Sequence, residues 1–107
     1  MKWTFDSYLA YQLQGLSFIS GGKFTSMDVN RYFDTPTSSM RERQVKLSEL
    51  YKEEFNTSGF WRWNSFNDRI HRHLKRVVKS AGGTRQKIRN KWVYSLNADG
   101  FIPWDEK

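Results

Sequence analysis

The chain reads as mostly α with a small β-hairpin, an α+β domain, and three observations carry that reading. Apolar residues recur at three- and four-residue spacings through most of the first 80 positions. Glycine pairs, Gly21-Gly22 and Gly82-Gly83, close two of the periodic segments. Beyond the second pair the period drops from 3.6 to 2, which is the change from helix to strand.

The first helix spans Thr4 to about Ser20. Phe5, Leu9, Leu13 and Leu16 form its core-facing stripe, and Gly21-Gly22 ends it. A short second helix fits Ser26 to Phe33, with Phe24 and Val29 placed as a hydrophobic staple around Thr25. Thr35 to Ser39 is a turn-forming run, and a third helix follows from Met40 to about Phe55, burying Met40, Leu47, Leu50 and Tyr51. Hydroxyl-to-acid pairs three residues apart mark three helix starts: Thr25 with Asp28, Ser39 with Glu42, and Ser65 with Asp68.

The fourth helix, about 65–80, separates its faces most cleanly. With Phe66 at zero and about 100° per residue, Ile70, Leu74 and Val77 fall near ~40°, ~80° and ~20°. Arg69, Arg72, Lys75, Arg76 and Lys79 fall between about 180° and 300° on the same wheel. One arc is apolar and the other is basic. After Gly82-Gly83, an extended run carries Arg85, Lys87 and Arg89 on one side, Asn90-Lys91 makes a turn, and Trp92, Tyr94 and Leu96 alternate as a half-buried strand. Asp99-Gly100 is a further turn, and Phe101, Ile102 and Trp104 are available to pack back on the body.

At 107 residues, one domain covering 1–107 is the natural expectation. A chain of this size buries roughly 65% of its unfolded surface, enough for a single modest core. The 17% aromatic content is high and supplies that core with large rings. Cysteine is absent, which excludes disulfides, thiolate metal sites and cysteine nucleophiles. The first ten residues lack a signal-type apolar run, and no stretch reaches bilayer length. The expected location is cytoplasmic, with no membrane partner.

Positive charge is concentrated. From Arg62 to Lys91 there are ten Lys or Arg against one acid, Asp68, a net of +9. The remaining 8 basic and 10 acidic side chains give −2, and the two parts sum to +7. A local field of this kind captures polyanions.

The succession of helices with short connections, a basic amphipathic helix, a glycine break and a basic hairpin resembles a winged helix-turn-helix domain. The run Arg69 to Gly82 carries the resemblance, with basic and apolar positions leading into glycine. It implies a winged-helix-like fold in which the helix enters the major groove of duplex DNA and the hairpin, the wing, contacts backbone or minor groove. On that resemblance the nucleic-acid-binding residues are Arg69, Arg72, Lys75, Arg76 and Lys79 on the helix, and Arg85, Lys87, Arg89 and Lys91 on the wing. Asn64, Ser65 and Asn67, near the helix N-terminus, are the candidates for base contacts. The implied role is a small non-enzymatic regulator of transcription or of a mobile element. It needs no cofactor or metal and would be nucleoid-associated; homodimerisation through the first helix or the aromatic tail fits the type.

Asn56 to Trp63 is longer than the turn of a simple helix-turn-helix. A second placement makes 40–55 the recognition helix, with Arg41, Arg43 and Lys46 in its N-terminal half. Two other functions stand beside DNA binding. An RNA-binding protein or small metal-independent ribonuclease would use His71, His73 or the aromatics from Phe60 to Trp63. On the wheel, His73 lies within the apolar arc and His71 at its edge, which favours packing for His73. A protein-only interaction module, such as an inhibitor or immunity protein, would use the Phe60–Trp63 cluster as its partner surface. The plainest reading of that cluster is core, and that of the basic arc is a solvated face.

Overall fold

The computed structural model describes residues 3–34, 38–55 and 63–97. Along them run α1 (Phe5–Ser20), β1 (Lys23–Thr25), α2 (Ser26–Asp34), α3 (Ser38–Phe55), α4 (Trp63–Ser80), β2 (Thr84–Ile88) and β3 (Lys91–Ser95).

α1 begins with a reciprocal capping box. The Ser7 amide donates to Thr4 Oγ1 at 3.1 Å and the Thr4 amide to Ser7 Oγ at 2.9 Å. The Phe5 amide donates to Glu54 Oε2 at 3.1 Å, so a carboxylate from the end of α3 meets the positive end of α1. Gly21, left-handed at φ 81°, caps the other end. All four residues of the expected stripe, Phe5, Leu9, Leu13 and Leu16, are buried, joined by Tyr8.

The sheet has three strands, where a two-stranded hairpin was expected. β1 pairs antiparallel with β3, Phe24 opposite Tyr94, giving the order β1-β3-β2. Those two rings stack at 5.7 Å and 18°, a cross-strand contact at the centre of the sheet. Thr25 then closes a capping box into α2: its amide donates to Asp28 Oδ2 at 2.9 Å, and the Asp28 amide returns to Thr25 Oγ1 at 3.2 Å. Phe24 and Val29, the expected staple pair, are both buried.

The other two expected helix starts are corrected. α3 begins at Ser38 and α4 at Trp63, so Ser39 and Ser65 already lie within helices. The wing turn also moves by one residue. Arg89 (φ 50°) and Asn90 (φ 65°) form the two-residue loop, and Lys91 belongs to β3 opposite Ile88. Two successive left-handed residues match the right-handed twist of a tight hairpin.

α1 packs against α2, α3 and α4, while α4 also reaches β2. The core gathers the α1 stripe, Phe24, Val29 and Phe33, Leu47 and Tyr51, Ile70, Leu74, Val77 and Val78, and Tyr94 with Leu96. Leu50 is partly buried against it. The expected contributions of Met40, of the Phe60–Trp63 cluster and of the tail from Asp99 to Trp104 lie outside what is described. Buried Ser17 donates from Oγ to the Leu96 carbonyl at 2.5 Å, and the Leu96 amide donates to Gly22 O at 3.1 Å. The segment after β3 is thereby tied to the end of α1.

Candidate functional site

Register decides which way the wing residues face. Arg85 pairs with Tyr94 and Lys87 with Trp92, so all four side chains share one face of the sheet. Tyr94 lies in the core, Arg85 is half-buried, and Trp92 and Lys87 are exposed. This face starts inside the body and runs outward past it. The Arg85 guanidinium lies 3.8 Å from the Trp92 ring centroid, and Lys87 Nζ lies 5.8 Å from it. The overhanging part of the hairpin is thus a cation-faced indole. Arg89 sits in the turn, not in line with Arg85 and Lys87 as expected.

On α4 the basic arc divides into engaged and open members. Arg76 reaches α1, with Nη1 at 2.7 Å from Asp6 Oδ2 and Nη2 at 3.0 Å from Asp6 Oδ1. The same Nη2 donates to His73 Nδ1 at 2.8 Å. Arg72 pairs with Asp68 at 2.7 Å one turn back, where both side chains are well exposed. Such a pair contributes about 0–1 kcal/mol and opens readily. Arg69 is half-buried, its guanidinium 5.1 Å from the Tyr51 ring centroid. It belongs to the contact between α3 and α4 more than to the open arc on which the wheel places it.

Lys75 and Lys79 are exposed, as are Lys87, Arg89 and Lys91 on the wing. No described carboxylate pairs with any of these five. Lys75 and Lys79 line a groove of about 220 Å³ with Val78, Gly83, Thr84 and Arg85, between the end of α4 and the start of β2. Asn64, Ser65 and Asn67 lie in the first turns of α4, and their side chains are outside the described set.

The histidines hold helices together. His71 Nε2 donates to Asn30 Oδ1 at 2.5 Å, joining α4 to α2. Burial holds its pKa below the ordinary 6.5, against the opposing pull of Asp68. His73 packs against Phe5, Tyr51 and Phe55, at ring distances of 5.6, 5.5 and 5.3 Å. Its Nδ1 accepts from Arg76, which leaves the proton on Nε2, 3.5 Å from Tyr51 Oη. Burial lowers its pKa first, Arg76 and Arg72 lower it further, and Asp6 and Glu54 oppose them. The two rings serve different contacts, His71 with α2 and His73 with α1 and α3. Among the described residues no three His, Asp or Glu side chains gather into a potential metal site.

Two of the three cations in the alternative recognition helix are drawn inward. Lys46 Nζ lies 5.0 Å from the Tyr8 ring centroid and 5.9 Å from that of Trp3, and Arg43 is half-buried. Sequence reasoning missed the partners Asp6 and Tyr51 and the groove itself. The two partners lie far along the chain from Arg76 and Arg69, and the groove, though its lining falls within residues 75–85, forms only where the helix end turns back against the strand. The alternation of Arg85 and Lys87 with Gln86 was the one available sign of a basic strand face.

No known protein family, curated protein or solved structure matches the chain. Four helices and a three-stranded antiparallel sheet among the described residues are compatible with a winged-helix-like architecture. No helix among them is long and apolar enough to cross a membrane.

Proposed function

We propose that this protein binds duplex DNA through the outer face of α4 and the overhanging hairpin, as a small regulator of transcription or of a mobile element. The observation that carries the reading is the run of cations without described carboxylate partners from Lys75 and Lys79 to Lys87, Arg89 and Lys91. Arg85 bridges the two groups at the groove. Mutual repulsion disfavours such a cluster unless a polyanion meets it. Winged-helix geometry supports the same reading: a strand after the first helix joins the sheet beside the wing, and the helix before the wing carries the cations. In this reading Lys75 and Lys79 grip phosphates beside the docked helix, and the wing follows the backbone. Arg76 and Arg69 hold the helix in place, and Arg72 joins the interface when its pair with Asp68 opens.

Fluorescence anisotropy on random duplex DNA, single-stranded DNA and duplex RNA across a salt series tests this. Duplex DNA is expected to bind best, with log K falling by about 0.9 per decade of salt for each neutralised phosphate. Lys75→Gln, Lys79→Gln and Lys87→Gln together are expected to flatten the slope by about 2 to 3. A preference for RNA or single strands would replace the duplex reading with the RNA-binding one. Negligible binding to all three would remove both and turn the search to an acidic protein partner.

A further inference from the structure

We propose that the groove between the end of α4 and the start of β2 seats one sugar–phosphate unit of a nucleic-acid backbone. This deepens the DNA reading and rests on it, because it names the point at which the chain grips its ligand. Three cations approach the groove from two elements, Lys75 and Lys79 from the helix and Arg85 from the strand. Thr84 adds a hydroxyl that can donate to a phosphate oxygen. Val78, almost wholly buried, and Gly83 also line the groove, so the site offers charge to an anion and an apolar inner wall to the group attached to it. A bare inorganic anion would leave that wall unused, and a phosphodiester with its sugar uses both.

The end of a helix ordinarily repels an anion, since its last carbonyls carry partial negative charge. Here three of those carbonyls are occupied. The Ala81, Gly82 and Gly83 amides donate to the carbonyls of Val77, Lys79 and Val78 at 3.1, 3.1 and 2.8 Å. Lys75, Lys79 and Arg85 add three positive charges against what remains of that partial charge. Its volume of about 220 Å³ equals roughly seven water molecules at about 30 Å³ each, room for one backbone unit and not for a folded ligand. The Arg85 guanidinium also lies 3.8 Å from the Trp92 ring centroid, a contact that restrains it before anything binds.

The test is an NMR titration of isotope-labelled full-length chain with the dinucleotide dTpdT, with inorganic phosphate and with glycerol 3-phosphate. The dinucleotide is expected to shift the Gly83 and Thr84 amides and the Val78 methyls, with millimolar affinity. Inorganic phosphate should leave the Val78 methyls in place. Lys79→Gln with Arg85→Gln should weaken the dinucleotide response about tenfold or more, equivalent to about 1.4 kcal/mol. Thermal unfolding of the double variant, and of Lys79→Gln alone, separates loss of binding from loss of fold. Silence at these three residues, or an unchanged response in a folded double variant, overturns the groove. If duplex DNA still binds in that case, the DNA reading survives without it. A stronger response to glycerol 3-phosphate or inorganic phosphate than to dTpdT overturns the nucleic-acid occupant. A groove response to dTpdT without duplex binding upholds the groove and removes the duplex reading.

Discussion

Gly83 lies where α4 turns into β2, and its lack of a side chain lets two backbones meet. A Cβ built there would sit 2.6 Å from the Ser95 carbonyl oxygen and 2.7 Å from Val78 Cγ1. Neither neighbour can yield easily, because one is the backbone of the central strand and the other is a buried core side chain. Gly83→Ala is expected to cost about 1–3 kcal/mol by overpacking, read as a lower urea midpoint. Gly82 has the opposite character: open space surrounds it, but its φ of 83° strains any other residue. Arg76 shows how one residue changes meaning with context. Its position on the helical wheel marks it as basic surface, and Asp6, seventy positions earlier, makes it a tether between helices.

Each element owes its boundaries to a few local contacts, and the capping box at the β1–α2 junction is the clearest case. Asp28→Ala removes an acceptor for both the amide and the hydroxyl of Thr25. A loss of about 1 kcal/mol is expected, with faster hydrogen exchange at the Thr25 amide. This junction was legible beforehand because Thr25, Asp28, Phe24 and Val29 agree with one another. Ser39 and Ser65 met the same hydroxyl-to-acid rule yet lie inside helices, since that spacing alone recurs by chance. The Thr4 cap escaped notice because Ser7 replaces the acid. The stripes Phe5–Leu16 and Ile70–Val77 were legible from period alone, as burial of one helix face leaves a repeat that any reader can count. β1 was not. It has three residues and one buried side chain, and its strand character comes from a partner some seventy positions away. The candidate site divides in the same way: the cations could be counted, but their allocation between tether and open surface depends on distant residues.

For the molecule as a whole, acidity is one lever on stability. His71 and His73 both have folded pKa values below 6.5, so the unfolded chain binds protons more readily than the folded one. Their contribution is fully present above about pH 6.5 and is lost as pH falls from there toward their folded values. Denaturant midpoints are expected to drop between pH 7 and 5, less steeply in His71→Gln. A flat profile would show that neither ring resists protonation. Protonating His73 on Nδ1 would also turn the acceptor for Arg76 into a competing donor, which weakens the tie between α4 and α1. Two further positive charges on a chain already at +7 add general repulsion in the same direction.

The pairing of Lys23 with Ser95 has a consequence for how the chain is made. Synthesis proceeds from the N-terminus, so α1 and the Phe24 segment leave the ribosome while the central strand is still untranslated. Until residue 96 emerges, the Phe24 ring has no Tyr94 to stack on and the Ser17 hydroxyl has no Leu96 carbonyl to donate to. The nascent chain must carry an unfinished core until the wing has been made. A ribosome stalled within the wing would hold a chain open to chaperones and proteases, and the last dozen described residues convert it into a protected domain.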